Sequence, residues 1–300
     1  MRHVIESQQF DRELLQHLFA EASRLENKKD DSMKGVILAS LFYEPSTRTR
    51  LSFESAMQRL GGMVISTESA KEFSSAVKGE TLEDTIRVVE NYADMVVLRH
   101  YEDDAAERAA KVADVPIINA GSGAGQHPTQ ALLDVYTIER ERGHIDGLSI
   151  AMVGDLKHGR TIRSLAYLLG KFNDVRITFV SPPELQVGDD IKEYLARHNV
   201  TYSDTTDLTD TLSHIDVLYQ TRMQKERFSD LSEYDRLKGS YRIDAAIAGR
   251  MKKGSIVMHP LPRVDEIAPE VDSLPQAVYF RQAHYGVCVR MALLKWIMGK

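Results

Sequence analysis

Cysteine is nearly missing: Cys288 is the single one among 300 residues. No disulfide can close within the chain, and no cysteine-based zinc site can form within it. The fold must therefore rest on packing, and at about 100–200 residues per domain the length is enough for two domains. A lone thiol suits a reducing compartment, and a cytoplasmic location is the expectation. No run of about 18 apolar residues occurs, so no membrane-spanning helix is expected. The N-terminal stretch MRHVIESQQFDRELLQ has no apolar core of the kind that a secretory signal needs. A positive excess is missing too, since the net charge is −6. That argues against nucleic acid or an anionic membrane as the main partner, while a local arginine cluster can still hold a small anion. Repeats of solenoid period and low-complexity tracts are also absent.

What is present is an alternation of apolar runs and helical patterns. Gly35 to Phe42 (GVILASLF) reads as a buried strand. Thr49 to Leu60 follows with helical spacing, Leu51, Phe53, Ala56 and Leu60 sharing most of one face, and Gly61-Gly62 stops it. Met63–Ser66, Met95–Leu98 and Val115–Ala120 read as further strands, with helices over Thr81–Tyr92 and Glu102–Val112. A glycine-rich stretch, Gly121-Ser-Gly-Ala-Gly125, precedes a helix that Pro128 opens. A second series then begins: strands at Leu148, Val175–Val180, Val217–Gln220, Ile256–Met258 and Ala277–Phe280, and helices over Arg160–Lys171, Ile191–His198 and Gly286–Met298. Strand–helix–strand order implies parallel sheets covered by helices. The fold class is α/β, with two domains of similar size, each a parallel sheet flanked by helices and joined to the other by interdomain helices. In such folds ligands sit at the carboxyl ends of strands, and Ser46, Arg99, His127, Arg160, Arg222 and Pro260 all follow strands or end them.

The densest local signal is Pro45-Ser-Thr-Arg-Thr-Arg50, between a strand and a helix. Three hydroxyls and two guanidinium groups stand where unpaired backbone N–H groups and the helix dipole favour an anion. Ser46-Thr-Arg-Thr-Arg50 with Leu51-Ser-Phe-Glu54 resembles the carbamoyl-phosphate motif of the transcarbamoylases. Three further segments agree in order and spacing: Lys78-Gly-Glu-Thr81, His127-Pro-Thr-Gln130 and His259-Pro-Leu-Pro-Arg263. Together they run across most of the chain.

The resemblance implies roles. Ser46, Thr47, Arg48 and Thr49, helped by Arg99, hold the phosphate of carbamoyl phosphate. Thr49, Arg99 and His127 donate to the carbamoyl oxygen, which gains charge as an amine attacks. Gln130 and the backbone at Pro260 and Leu261 orient the carbamoyl NH2. Ser74 and Lys78 reach the active site of an adjacent subunit, so the working unit is a homotrimer with shared sites. Arg48, Thr49, Lys78, Arg99 and His127 form the catalytic group. Residues 1–128 with the returning helix 286–300 form the carbamoyl-phosphate domain, and 129–285 the domain for the amine.

The second substrate is read from the cations. Aspartate brings two carboxylates, whose natural partner is bidentate arginine. The resemblance places Arg160 on the α-carboxylate and Arg222, Gln224 and Lys78 on the β-carboxylate, with Leu261 also at the aspartate. Ornithine-specific members usually carry a cysteine in the segment that here reads His259 to Arg263, and Cys288 lies elsewhere. The resemblance therefore implies carbamoyl transfer to L-aspartate, the committed step of pyrimidine biosynthesis. No cofactor and no metal is expected, and no Ser-His-Asp or Cys-His nucleophile is evident. A separate regulatory chain is left open. Three alternatives stand beside this reading. One is transfer to ornithine or another amino acid. Another is an inactive assembly subunit, against which the retention of Arg48, Lys78, Arg99, His127 and Arg222 speaks. The third is a nucleotide-binding oxidoreductase, suggested by Gly121-x-Gly-x-Gly125, although Gln126 stands out of step with the dinucleotide fingerprint.

Overall fold

Segments such as ILASLF (Ile37–Phe42) and SIAMV (Ser149–Val153) have no polar face, which suits strands that helices cover on both sides. The computed structural model describes all residues except 1, 29, 71–74, 226, 227 and 229. In chain order it contains α1 (Arg12–Leu25), β1 (Ile37–Phe42), α2 (Thr47–Arg59), β2 (Met63–Glu68), α3 (Leu82–Val89), β3 (Met95–His100), α4 (Ala105–Val112), β4 (Ile117–Ser122) and α5 (Pro128–Arg142). There follow β5 (Ser149–Val153), α6 (Arg160–Leu169), β6 (Arg176–Val180), α7 (Asp189–Arg197), β7 (Thr201–Thr205), β8 (Val217–Gln220), α8 (Leu231–Leu237), α9 (Ala245–Gly249), β9 (Ile256–Met258) and α10 (Tyr279–Met298).

The chain divides into two units, Met1–Leu133 with Ala283–Lys300, and Asp134–Gln282. Both crossings therefore fall inside helices, α5 and α10. The first unit holds a four-stranded sheet in the order β2-β1-β3-β4, the second a five-stranded sheet in the order β7-β6-β5-β8-β9. Every pairing within them is parallel. In the first sheet the chain winds outward from β1 to β2 and then restarts on the other side with β3. In the second it winds from β5 to β7 and restarts with β8. Each sheet so has a switch point, between β1 and β3 and between β5 and β8, where the loops at the strand ends part and leave a crevice. Each unit has its own buried cluster: Ala39, Ile86, Val96, Leu98 and Ile117 in the first, and Val153, Val180, Leu218, Val257 and Tyr279 in the second.

Two expectations change. Leu51 is 50% exposed, whereas Thr49, Phe53, Ala56 and Met57 of α2 are buried. At 100° per residue Leu51 lies about 200° from Phe53 and so off the buried stripe. Ala277–Phe280 is not a strand. Ala277 makes one bridge to Val257, and Gln282 N–H already donates to Val278 O at 2.8 Å, so α10 starts at Tyr279. Four elements carry no sequence assignment: α1, β7, α8 and α9. β7 (TYSDT) is a mostly exposed edge strand without apolar alternation.

Candidate active site

At the first switch point, Ser46 is the N-cap of α2, and its side chain makes no capping hydrogen bond. The first turn carries no acidic residue. The N–H groups of that turn have no partner within the helix, and the dipole gives them positive character. Thr49 is buried and Arg48 exposed. Arg50 is directed elsewhere: its guanidinium donates to Glu68 at 2.9 Å and to Glu54 at 3.4 Å. Of the two arginines in the motif, one is thus held by carboxylates of the same unit.

Arg99 stands on β3 level with Phe42 of β1, and Arg99 O accepts from Tyr43 N–H at 2.8 Å. Its Nη1 donates to Ala120 O at 3.3 Å, and Glu44 Oε2 lies 3.5 Å from its Nη2. The guanidinium is fixed between the ends of β1 and β4. His127 precedes α5, and its carbonyl accepts from Gln130 N–H at 3.0 Å and Ala131 N–H at 3.2 Å. The residue is only 4% exposed, and Gln130 is buried one turn on. The glycine-rich stretch before it is a turn folded round Asp103. Asp103 Oδ1 accepts from Ala124 N–H at 2.7 Å, and a Cβ on Gly123 (φ +46°) would stand 1.8 Å from that oxygen. Glycine here serves a close approach to a carboxylate, not to a dinucleotide, which removes the basis of the oxidoreductase reading.

Lys78 ends a single 3-10 turn (Ser75–Lys78) and is exposed. Ser74 lies outside the described residues.

At the second switch point, Arg160 is the first residue of α6. Arg222 follows β8 by two residues. The two loops are locked together. Thr221 donates to Val153 O through its N–H (2.8 Å) and its hydroxyl (2.9 Å). Gly154 (φ +116°) passes so close that a Cβ would sit 2.5 Å from Thr221 O. Gln224 Nε2 donates to His158 O at 3.0 Å, and the buried Asp155 accepts from His158 N–H at 3.0 Å. Arg222 also lines a small depression with Gln220, Tyr234, Lys238 and Tyr241.

The third element is the loop after β9. Leu261 adopts φ +56°, and the Leu261–Pro262 peptide is cis. His259 organises this loop: its Nδ1 accepts from Leu261 N–H at 2.8 Å, so the proton is on Nε2, which donates to Glu266 Oε1 at 2.8 Å. Burial pushes the Glu266 carboxyl up, but the hydrogen bond from His259 and those from the loop backbone outweigh it and hold it below the ordinary carboxylate value. Glu266 also accepts from Val264 N–H at 3.1 Å. The sequence does not mark its part, because six residues of irregular loop separate it from His259 and no periodicity makes them partners.

Two family models match the chain: the carbamoyl-P binding domain of aspartate/ornithine carbamoyltransferases over residues 2–140, and the Asp/Orn binding domain over 146–297. The chain belongs to the aspartate/ornithine carbamoyltransferase family. A Pisum sativum relative named aspartate carbamoyltransferase 3, chloroplastic, is 57% identical over 98% of this chain and 77% of its own length. The catalytic subunit of M. jannaschii aspartate transcarbamoylase matches with a TM-score of 0.92 at 52% identity, over 100% of this chain and 98% of that one. A Trypanosoma cruzi aspartate transcarbamoylase, solved with carbamoyl phosphate and aspartate, matches with a TM-score of 0.93 at 44% identity, over 98% and 95% of the two chains. The cytoplasmic expectation is corrected by the plant relatives: those at 55–57% identity are named chloroplastic. The physical reason for the error is that a lone cysteine reports a reducing milieu and does not distinguish one such compartment from another.

Proposed function

We infer that this carbamoyltransferase moves the carbamoyl group of carbamoyl phosphate to the amino group of L-aspartate, giving N-carbamoyl-L-aspartate and phosphate. The observation that carries the amine assignment is that Arg160 and Arg222 stand on two loops that Gln224 and Thr221 tie together. Two guanidinium groups at one switch point suit a dicarboxylate, whereas an ornithine side chain would bring a third cation. Residues 1–128 with 286–300 are assigned to carbamoyl phosphate, and 129–285 to aspartate. In that assignment Ser46, Thr47, Arg48 and Thr49 take the phosphate, while Thr49, Arg99 and His127 donate to the carbamoyl oxygen. Gln130, Pro260 and Leu261 orient the carbamoyl NH2. Arg160 takes the α-carboxylate, and Arg222 with Gln224 the β-carboxylate. The amine adds to the carbamoyl carbon, and the tetrahedral species expels phosphate with no enzyme nucleophile. Each well-placed donor to the developing oxyanion is worth about 10²–10³ in rate.

Lys78 and Ser74 are assigned to the site of an adjacent subunit, in a homotrimer. Exposed apolar residues on the first unit support a subunit contact there: Met63 and Ile65 on the edge strand β2, and Leu51 on α2 beside it. The M. jannaschii relative is named a catalytic subunit, and a separate regulatory chain is the partner class that this name suggests. A plastid is the proposed setting.

The test is phosphate release from carbamoyl phosphate with L-aspartate, L-ornithine or no amine. Aspartate-dependent release with carbamoyl-aspartate as product is expected. Release with ornithine alone would keep the phosphate site and overturn the roles of Arg160 and Arg222.

A further inference from the structure

Deep in the second unit lies a chain of polar side chains that the reaction does not use directly. Tyr219 on β8, Asp134 on α5, and Gln282 on α10 are all buried, Asp134 and Tyr219 completely. Tyr219 Oη donates to Asp134 Oδ2 at 2.7 Å, and Gln282 Nε2 donates to Asp134 Oδ1 at 2.6 Å. Gln282 Oε1 accepts from His259 N–H at 3.0 Å. At the other end Thr161 stands beside the Tyr219 phenol. Thr161 adjoins Arg160 at the start of α6, and His259 holds Leu261 N–H. One carboxylate thus stands between the two loops that are assigned to the amine substrate and the carbamoyl NH2. Asp134 and Gln282 are also the first and last residues of the second unit, so the same bond joins both places where the chain crosses into it.

We propose that Asp134 is a positioning residue, which holds Tyr219 and Gln282 so that Arg160 and Leu261 are presented in register for aspartate. This rests on the function proposed above. The direction of the bonds is fixed. Gln282 Oε1 is committed to a backbone N–H, so its amide nitrogen must face an acceptor at Asp134. Tyr219 is the free rotor: it donates to Asp134 and can instead donate to Thr161. Burial, then the Asp134 charge, push the phenol well above its ordinary pKa, so it stays a hydroxyl and a donor.

Three variants distinguish positioning from mere stability. In Asp134→Asn, Oδ1 still accepts from Gln282, and Nδ2 donates to Tyr219, which turns its hydroxyl to Thr161. In Asp134→Ala both arms lose their partner. Tyr219→Phe removes one hydroxyl and keeps the packing, and so serves if Asp134→Ala fails to fold. The measurement is KM for aspartate at saturating carbamoyl phosphate, beside the Kd of carbamoyl phosphate alone. Tyr219→Phe and a folded Asp134→Ala are expected to raise the aspartate KM about tenfold or more, the scale of a small misplacement of a binding group. Carbamoyl phosphate affinity should stay within about threefold, and Asp134→Asn should stay near wild type. An unchanged KM in Tyr219→Phe, equal losses for both ligands, or an Asp134→Asn as poor as Asp134→Ala would overturn the inference alone. A wild type without aspartate-dependent transfer would overturn the proposed function, and this inference with it.

Discussion

In the first unit, the residues assigned to phosphate follow one another from Ser46 to Thr49 at one helix start, where backbone N–H groups do part of the work. In the second unit, the residues assigned to aspartate stand on separate loops at Arg160, Arg222 and Leu261. They are aligned by side-chain bonds that run through Gln224, Thr221 and His259. The first arrangement is stiff because a helix terminus brings its donors already oriented. The second depends on many partners, so it can be disturbed from a distance, and it can also be retuned for another amine without touching the phosphate end. A family that shares one substrate and varies the other is served by that division.

The comparison can be broken most sharply at the donors to the carbamoyl oxygen. Arg99→Ala or His127→Ala should lower kcat by about 10²–10³, with unchanged circular dichroism. An undiminished kcat in either variant would remove that residue from the catalytic group. On the amine side, Arg222→Ala should raise the aspartate KM about 10–100-fold, the scale of hydrogen bonds to a charged group. Equilibrium binding should show its carbamoyl phosphate affinity intact. A smaller effect is expected at the loop junction. Gly154→Ala forces a side chain into a left-handed backbone against Thr221 O, and should cost about 1–3 kcal/mol in urea unfolding and weaken aspartate more than carbamoyl phosphate.

Smallest is a pH effect at His259–Glu266. The folded Glu266 carboxyl lies below its ordinary value, so its contribution to stability is present above the unfolded pKa and is lost as pH falls through the folded one. Thermal melts of the wild type should therefore decline more steeply than those of Glu266→Gln below about pH 4, the ordinary carboxylate range. Parallel curves would show that this pair does not set the acid limb.

The same contrast explains what could be read from the chain alone. The strand–helix alternation and the Ser46–Arg50 motif are contiguous, so periodicity and local chemistry expose them. That Arg50 would turn to Glu54 and Glu68 is invisible in the motif, because Glu68 comes from the neighbouring strand β2. Leu51 reads as core by type and is exposed by phase. β7 lies at an edge and has no buried face to pattern it. In the second unit Arg160 and Arg222 were legible only through a family resemblance. Their surroundings, Asp155, His158, Glu266, Asp134 and Tyr219, come from four segments whose meeting depends on the sheet order. A compartment is not encoded in these contacts at all, and only the plant relatives corrected it.

The most direct test of this division of labour is the binding of carbamoyl phosphate, measured calorimetrically without aspartate, to the wild type, Arg48→Ala and Arg222→Ala. Arg48→Ala should lose about tenfold or more in affinity and Arg222→Ala should lose nothing, because the phosphate is held by the first unit. Equal losses in the two variants, or a loss in Arg222→Ala alone, would contradict the assignment of phosphate and aspartate to separate halves of the chain.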